Sequence, residues 1–224
     1  MMKARIALAT LVVLIVPAIS FAQAPHRYEL TAFGGYRWGG EFKGGNFSNN
    51  PGVNQENLQI SNGGNFGLVF DLVTSTQQLQ FELMWERQMT SMDVKDNVTG
   101  EKQYLGDGVV DYLHLGVLYE VYQPSQLEGE STVRPFVGIT MGSTRFAPSD
   151  DRSSAWRFSV GFKVGMKTYL AERIGLRLES SLMTTYLNSS DDMFCSNATG
   201  QCYRFPTSAF MNQIDVTAGL VFLF

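Results

Sequence analysis

Few residues of this sequence are typed and spaced for catalysis. Histidine is the usual proton carrier near neutral pH, and the chain holds only His26 and His114. A hydrolytic site needs such a base beside a nucleophile, with a third group to orient it. His26 precedes the first patterned segment and His114 lies between Leu113 and Leu115, so no catalytic residue is assigned. Cys195 and Cys202 stand in a polar stretch. Two thiols without a nearby histidine make a poor metal site, and in an exported chain they read instead as one loop disulfide. Neither a metal nor a cofactor is expected. What the sequence does space regularly is charge. Glu82, Glu86, Glu120, Arg134, Lys163, Lys167, Arg177 and Glu179 alternate with bulky apolar residues, as do Arg37, Asp71, His114 and Asp215. The chemistry open to such a set is mutual ion pairing, provided that the fold gathers it on one face.

Strands would do so, because successive side chains of a strand point to opposite faces. Segments of about ten residues alternate in hydrophobicity between clusters of Gly, Asn, Asp, Ser and Pro, which is the strand period. The first runs from Tyr28 to Trp38, the second from Asn65 to Val73, the third from Leu79 to Met89 and the fourth from Val109 to Val121. The fifth carries Val133, Val137, Ile139 and Met141, the sixth Trp156 to Met166, the seventh Leu176 to Leu182, and the eighth runs from Ala209 to Phe224. Long loops are expected at 39–64, 90–108, 145–154 and 188–208, and shorter turns between the other pairs.

Alternation alone also describes a water-soluble barrel. The distinction lies in which face is bulky. Leu and aromatic residues fill one face, while the other is rich in Gly, Ser, Thr and charge. An eight-stranded lumen is only just wide enough for side chains, and roughly forty large apolar residues would crowd it. A membrane barrel inverts the arrangement, giving lipid the bulky face and keeping the interior polar. Trp38, Trp85 and Trp156 all fall on the bulky parity towards the long-loop ends, where an interfacial aromatic girdle belongs. The expected fold is therefore all-β: an eight-stranded antiparallel up-and-down transmembrane barrel, in the bacterial outer membrane and in contact with its lipid.

The closing run VTAGLVFLF, with Val216, Ala218, Leu220, Phe222 and Phe224 at alternate positions, resembles the C-terminal signal of outer-membrane barrels. The chain as a whole resembles the small barrels of the OmpA/OmpX or opacity type, Arg134-Pro135-Phe136-Val137-Gly138 being similar to a recurrent segment of that group. The resemblance implies that the barrel-assembly machinery reads the last strand. It also implies a choice among envelope-structural, surface-interaction and small-pore roles, since fold does not select function. Lipid A-modifying enzymes share the architecture and use a His with Ser and an acid. His26 would sit at the periplasmic end and His114 inside the lumen, so a non-enzymatic protein is expected. No appended peptidoglycan-binding domain is expected.

The N-terminus places Lys3 and Arg5 before the apolar run Ile6–Val16, then Pro17 and small residues. That is a secretory signal peptide, assigned to residues 1–22, and the apolar run is too short for a spanning helix. Its loss removes two of the 17 basic residues against 21 acidic ones, taking the net charge from −4 to −6, which argues against a nucleic-acid partner. Residues 23–224 then form one barrel domain. Within it, Glu82 and Glu86 are expected to pair with Arg177 and with Lys163 or Lys167, because buried charges need partners. The 39–64 loop reads as flexible. The 188–208 loop, with its disulfide, reads as a recognition surface for a ligand outside the cell. Asp111, Asn212 and Ser180 fall on the lipid parity without an evident reason.

Overall fold

The computed structural model describes residues 28–47, 56–74, 78–96, 102–121, 133–150, 152–188, 192–195, 202–204 and 209–224. Residues 1–22, read above as a signal peptide, and His26 lie outside these residues. In chain order the strands are β1 (Tyr28–Trp38), β2 (Gly40–Phe47), β3 (Glu56–Ile60), β4 (Gly63–Val73), β5 (Leu79–Asp96), β6 (Lys102–Glu120), β7 (Val133–Pro148), β8 (Ala155–Ala171), β9 (Ile174–Leu187), β10 (Asp192–Met193), β11 (Tyr203–Arg204) and β12 (Ala209–Leu223).

Eight of them form the wall. β1, β4, β5, β6, β7, β8, β9 and β12 pair in that order, each antiparallel to the next. β12 closes on β1 from Glu29↔Leu223 to Trp38↔Ile214. At the closure the Tyr28 N–H donates to the Phe224 carbonyl at 3.2 Å, and the Phe224 N–H donates to that of Tyr28 at 3.0 Å. A wall closed in this way has no open edge, which is what lipid demands of a sheet.

The side chains sort as the alternation requires. Leu68, Leu83, Leu115, Ile139, Phe162, Leu178 and Leu220 all face outward and are exposed, whereas Glu82, His114, Thr140, Lys163, Arg177 and Asp215 are buried inside. Water would not tolerate so continuous an apolar exterior. Lipid does.

The segments expected as loops at 39–64 and 90–108 are instead largely strand. β2 and β3 pair from Gly40↔Ile60 to Gly45↔Glu56, and β3 continues onto the upper half of β5 from Ile60↔Met92 to Glu56↔Asp96. β5 and β6 themselves stay paired out to Lys95↔Lys102. The reason is a second core above the membrane level. Phe42, Leu58, Met92, Val94, Phe146 and Phe194 bury one another there. The lumen is thus polar in its lower part and apolar at its long-loop end, a correction to the expectation of a uniformly polar interior.

Gly39 is where β1 leaves β12 and becomes β2. A Cβ at Gly39 would lie 1.9 Å from the Ile60 carbonyl oxygen, so only glycine lets the two chains approach so closely at the bend. Beyond it β2 pairs with β11 instead, through Tyr203↔Phe47 and Arg204↔Asn46.

The outward face sets a direct test. Ile139 is 62% exposed in the isolated chain, and in water an exposed isoleucine tolerates arginine. With acyl chains against it, Ile139→Arg is expected to destabilise the barrel by roughly 2–4 kcal/mol near the bilayer midplane, measured by urea unfolding in phospholipid vesicles.

Candidate functional site

The inward charges form stacked layers. At the short-turn end Lys167 reaches four strands: its Nζ donates to Glu29 at 2.7 Å, to Asp71 at 3.1 Å and to Gln80 at 2.6 Å, and lies 3.5 Å from Glu120. Gln80 in turn donates to Glu120 at 2.7 Å, and the Tyr169 hydroxyl donates to Glu29 at 2.8 Å. Arg134 stands at this mouth, 3.8 Å from Glu120, with its guanidinium over the Tyr169 ring at 4.5 Å.

One layer further in, Arg177 spans the lumen. It donates to Asp71 at 3.0 Å, to Glu82 at 2.7 Å and through Nε to Glu179 at 2.9 Å. Lys163 closes the ring on Glu82 at 2.6 Å and Glu179 at 3.2 Å. Each of these groups is nearly or wholly buried. Charges so placed persist because each meets an opposite charge or a hydrogen-bond partner.

Above this ring sits a neutral layer. His114 contacts Thr140 through Nδ1 at 3.0 Å and Ser159 through Nε2 at 2.7 Å, and Thr144 donates to Ser159 at 2.8 Å. A histidine beside a serine resembles part of a hydrolytic site, but both are buried and the other ring nitrogen meets a threonine rather than a carboxylate. The third charged layer is built on Arg37. It donates to Glu86 at 2.8 Å and through Nε to Asp215 at 2.9 Å, and lies over the Tyr112 ring at 4.4 Å. Ser181 also donates to Asp215, Tyr112 to Gln213, and Gln213 to Gln88. The apolar cluster around Phe42 and Phe146 then caps the stack.

Two of the expected pairings differ in detail. Glu82 takes Lys163 and Arg177, but Glu86 takes Arg37 and is also bonded by Asn65. Lys167 goes to Glu29 and Asp71 rather than to either glutamate of β5. The cause is strand rise: four residues separate Glu82 from Glu86, about 13 Å along β5, so the two occupy different layers. Glu29 is the member that sequence reasoning left out of the network. It shares the inward parity of Thr31 and Arg37 on β1, and that parity alone would have placed it.

The outward polar residues also acquire partners. Asp111 accepts from Arg87 Nε at 2.6 Å and lies 3.6 Å from Arg145. Thr184 donates to Asn212 at 2.7 Å, and Ser180 donates to the Asp215 carbonyl at 2.9 Å. Trp38 and Trp156 face outward, as does half-buried Trp85, which packs edge-on against Phe66 at 6.0 Å. Tyr28, Phe70 and Phe224 group at the opposite margin, with ring centroids 5.9 and 6.0 Å apart about Tyr28. Cys195 and Cys202 are disulfide-bonded beside the β10–β11 hairpin. Where β2 parts from β12 the wall holds an open cleft of about 990 Å3, lined by Gly40, Lys43, Asn62, Lys102, Phe210 and Asn212 among others.

A closed antiparallel wall with an apolar exterior and an ion-paired interior defines a transmembrane β-barrel of the outer-membrane type. That exterior places the protein in the bacterial outer membrane. No protein-family model and no curated protein matches the sequence. Solved structures do. Neisserial surface protein A aligns at 12% identity over 88% of this chain and 97% of that one, with a TM-score of 0.53. The outer membrane protein OprG of Pseudomonas aeruginosa aligns at 15% identity over 90% and 98%, also at 0.53. The outer membrane protein AlkL, solved in lipid bilayers, aligns at 13% identity over 91% and 92%, at 0.50. At these identities the likeness is one of fold.

The layers differ in what they lose when broken. Arg37→Leu strips two buried carboxylates of their cation and is expected to cost roughly 3–5 kcal/mol. Arg134→Leu should cost less than Arg37→Leu, because Glu120 keeps Gln80 at 2.7 Å and Lys167 at 3.5 Å as partners. Urea unfolding of the two variants in the same vesicles measures the difference.

Proposed function

We propose that this protein is a non-enzymatic outer-membrane barrel with an envelope-structural or surface-interaction role, exerted through its extracellular end. The observation that carries the reading is the filled lumen. Three charged layers, a neutral histidine layer and an apolar cap occupy it in series, and side chains that satisfy one another have little to offer a passing solute. The extracellular end, in contrast, is ordered strand beyond the level of the girdle, bearing the disulfide-bonded hairpin on β2. A rigid scaffold that presents loops is a common way to place a binding surface.

The non-enzymatic reading rests on His114, which is buried between Thr140 and Ser159 without a carboxylate to orient it. In the same reading residues 1–22 direct export and are removed. The barrel-assembly machinery then recognises β12, whose Val216, Ala218, Leu220 and Phe222 all lie on the exposed face that ends at Phe224.

The cleft between β2 and β12 favours a second reading, a narrow channel for ions or small hydrophobic solutes entering from the side of the wall. Planar-bilayer recording of the purified protein separates the two. A plugged barrel gives no sustained current steps. Sustained large conductance would overturn the structural reading in favour of the channel. Binding of cells to a surface, with and without residues 189–208, measures the loop contribution, and the expected outcome is loss on deletion.

A further inference from the structure

Outside the lumen a charged cluster stands on the lipid-facing wall. Arg87 on β5, Asp111 on β6 and Arg145 on β7 lie directly opposite one another across three neighbouring strands. All three share the outward parity of Trp85, Leu113 and Met141. Two guanidinium groups and one carboxylate give this patch a net positive charge, whereas the chain carries −4.

The geometry divides the roles. Arg87 grips Asp111 through Nε at 2.6 Å and Nη2 at 3.1 Å. Arg145 approaches it only through Nη1, at 3.6 Å. Both arginine side chains remain 36% exposed while Asp111 is 8% exposed. The carboxylate therefore takes the Nε/Nη2 edge of Arg87 but meets Arg145 through one nitrogen, and both guanidinium groups stay part-exposed. Two indoles stiffen the arrangement, Trp85 lying 5.6 Å from the Arg87 guanidinium and Trp156 5.9 Å from that of Arg145. A fixed, half-exposed arginine fork matches the oxygens of a phosphate, and tryptophans of a barrel girdle mark the depth of lipid headgroups.

The wall below the cluster is grooved. An apolar depression of about 560 Å3 is lined by Leu115, Val117, Ile139, Met141, Val160 and Phe162, with the backbone of Gly116 and Gly161 contributing to its lining. Leu115 follows Asp111 by four residues on β6, and Met141 precedes Arg145 by four on β7, so the groove begins about 13 Å below the charged cluster. Charge above and an apolar channel beneath, with β6 and β7 common to both, is the outline of one lipid molecule.

We propose that this face of the barrel binds a phosphorylated outer-leaflet lipid of the lipid A class, its phosphate on Arg87 and Arg145 and an acyl chain in the groove between β6 and β8. The site is independent of the loops and of the lumen. It gives the outward arginines and the outward Asp111 a common purpose.

Native mass spectrometry of the full-length exported protein, released from micelles doped with lipid A or with its dephosphorylated form, tests the assignment. The wild-type barrel should retain lipid A, and the dephosphorylated form roughly tenfold less, as expected for loss of charge-assisted hydrogen bonds. A charge-free triple variant, R87Q/D111N/R145Q, should lose the same preference. D111N alone, which frees the Arg87 fork, should retain more lipid A than wild type. Equal retention of the two lipids by the wild-type protein would overturn the proposal without recourse to any variant. Undiminished lipid A retention by the triple variant would also overturn it, as would weaker retention by D111N.

Discussion

Everything in this barrel follows from closing a sheet around a lumen too narrow to hold bulk water. Once β12 pairs with β1, an inward side chain has no exit, and its charge must be met by another inward side chain. That is why Lys167 contacts four strands and Arg177 contacts carboxylates from β4, β5 and β9. Replacing the network by apolar residues would satisfy burial equally well. A polar interior, however, leaves only one apolar face on each strand, and so fixes which face meets lipid. A register slip of one residue would turn Lys163 and Lys167 into the bilayer.

The change from charged to apolar filling along the axis is a change of surroundings as well as of side chains. Within the membrane the exterior is apolar and the interior is ionic. Beyond the girdle the exterior is wet, and the interior becomes a conventional core of Phe42, Leu58, Met92 and Phe146. The same strands β5 and β6 run through both regimes without a break in pairing apart from the bulge at Met92 and Asp93. They therefore join a membrane protein to a water-soluble cap with an opposite rule for what faces in.

That reversal explains what the sequence disclosed and what it withheld. The eight wall strands were legible because each has a long run of strict alternation, as in Trp156 to Lys167. The inward identity of Glu82, Lys163 and Arg177 followed from parity alone. The upper strands were hidden because Phe42, Leu58 and Val94 are separated by Gly, Asn, Gln and Asp, which read as loop. Their apolar residues point inward, against the rule that holds lower down. Partner choice within the lumen was hidden for another reason. It depends on the stagger of strands around the barrel, which brings Glu86 level with Arg37, and no single strand's pattern encodes that offset. The outward trio of Arg87, Asp111 and Arg145 was visible only as one anomalous acid, because its meaning lies in the register across three strands.

The bend at Gly39 has a mechanical corollary. Since β2 and β3 pair with each other, with β5 and with the small disulfide-bonded hairpin, but among the described residues form no ladder with β12, the extracellular extension joins the wall by backbone pairing along β5 and elsewhere by side-chain packing, as of Phe42 on Phe146. Sequence drift or insertion in that extension changes the shape offered to the outside world while the ring of hydrogen bonds in the bilayer stays untouched, so the exposed end is free to diversify at a pace the buried part could not survive.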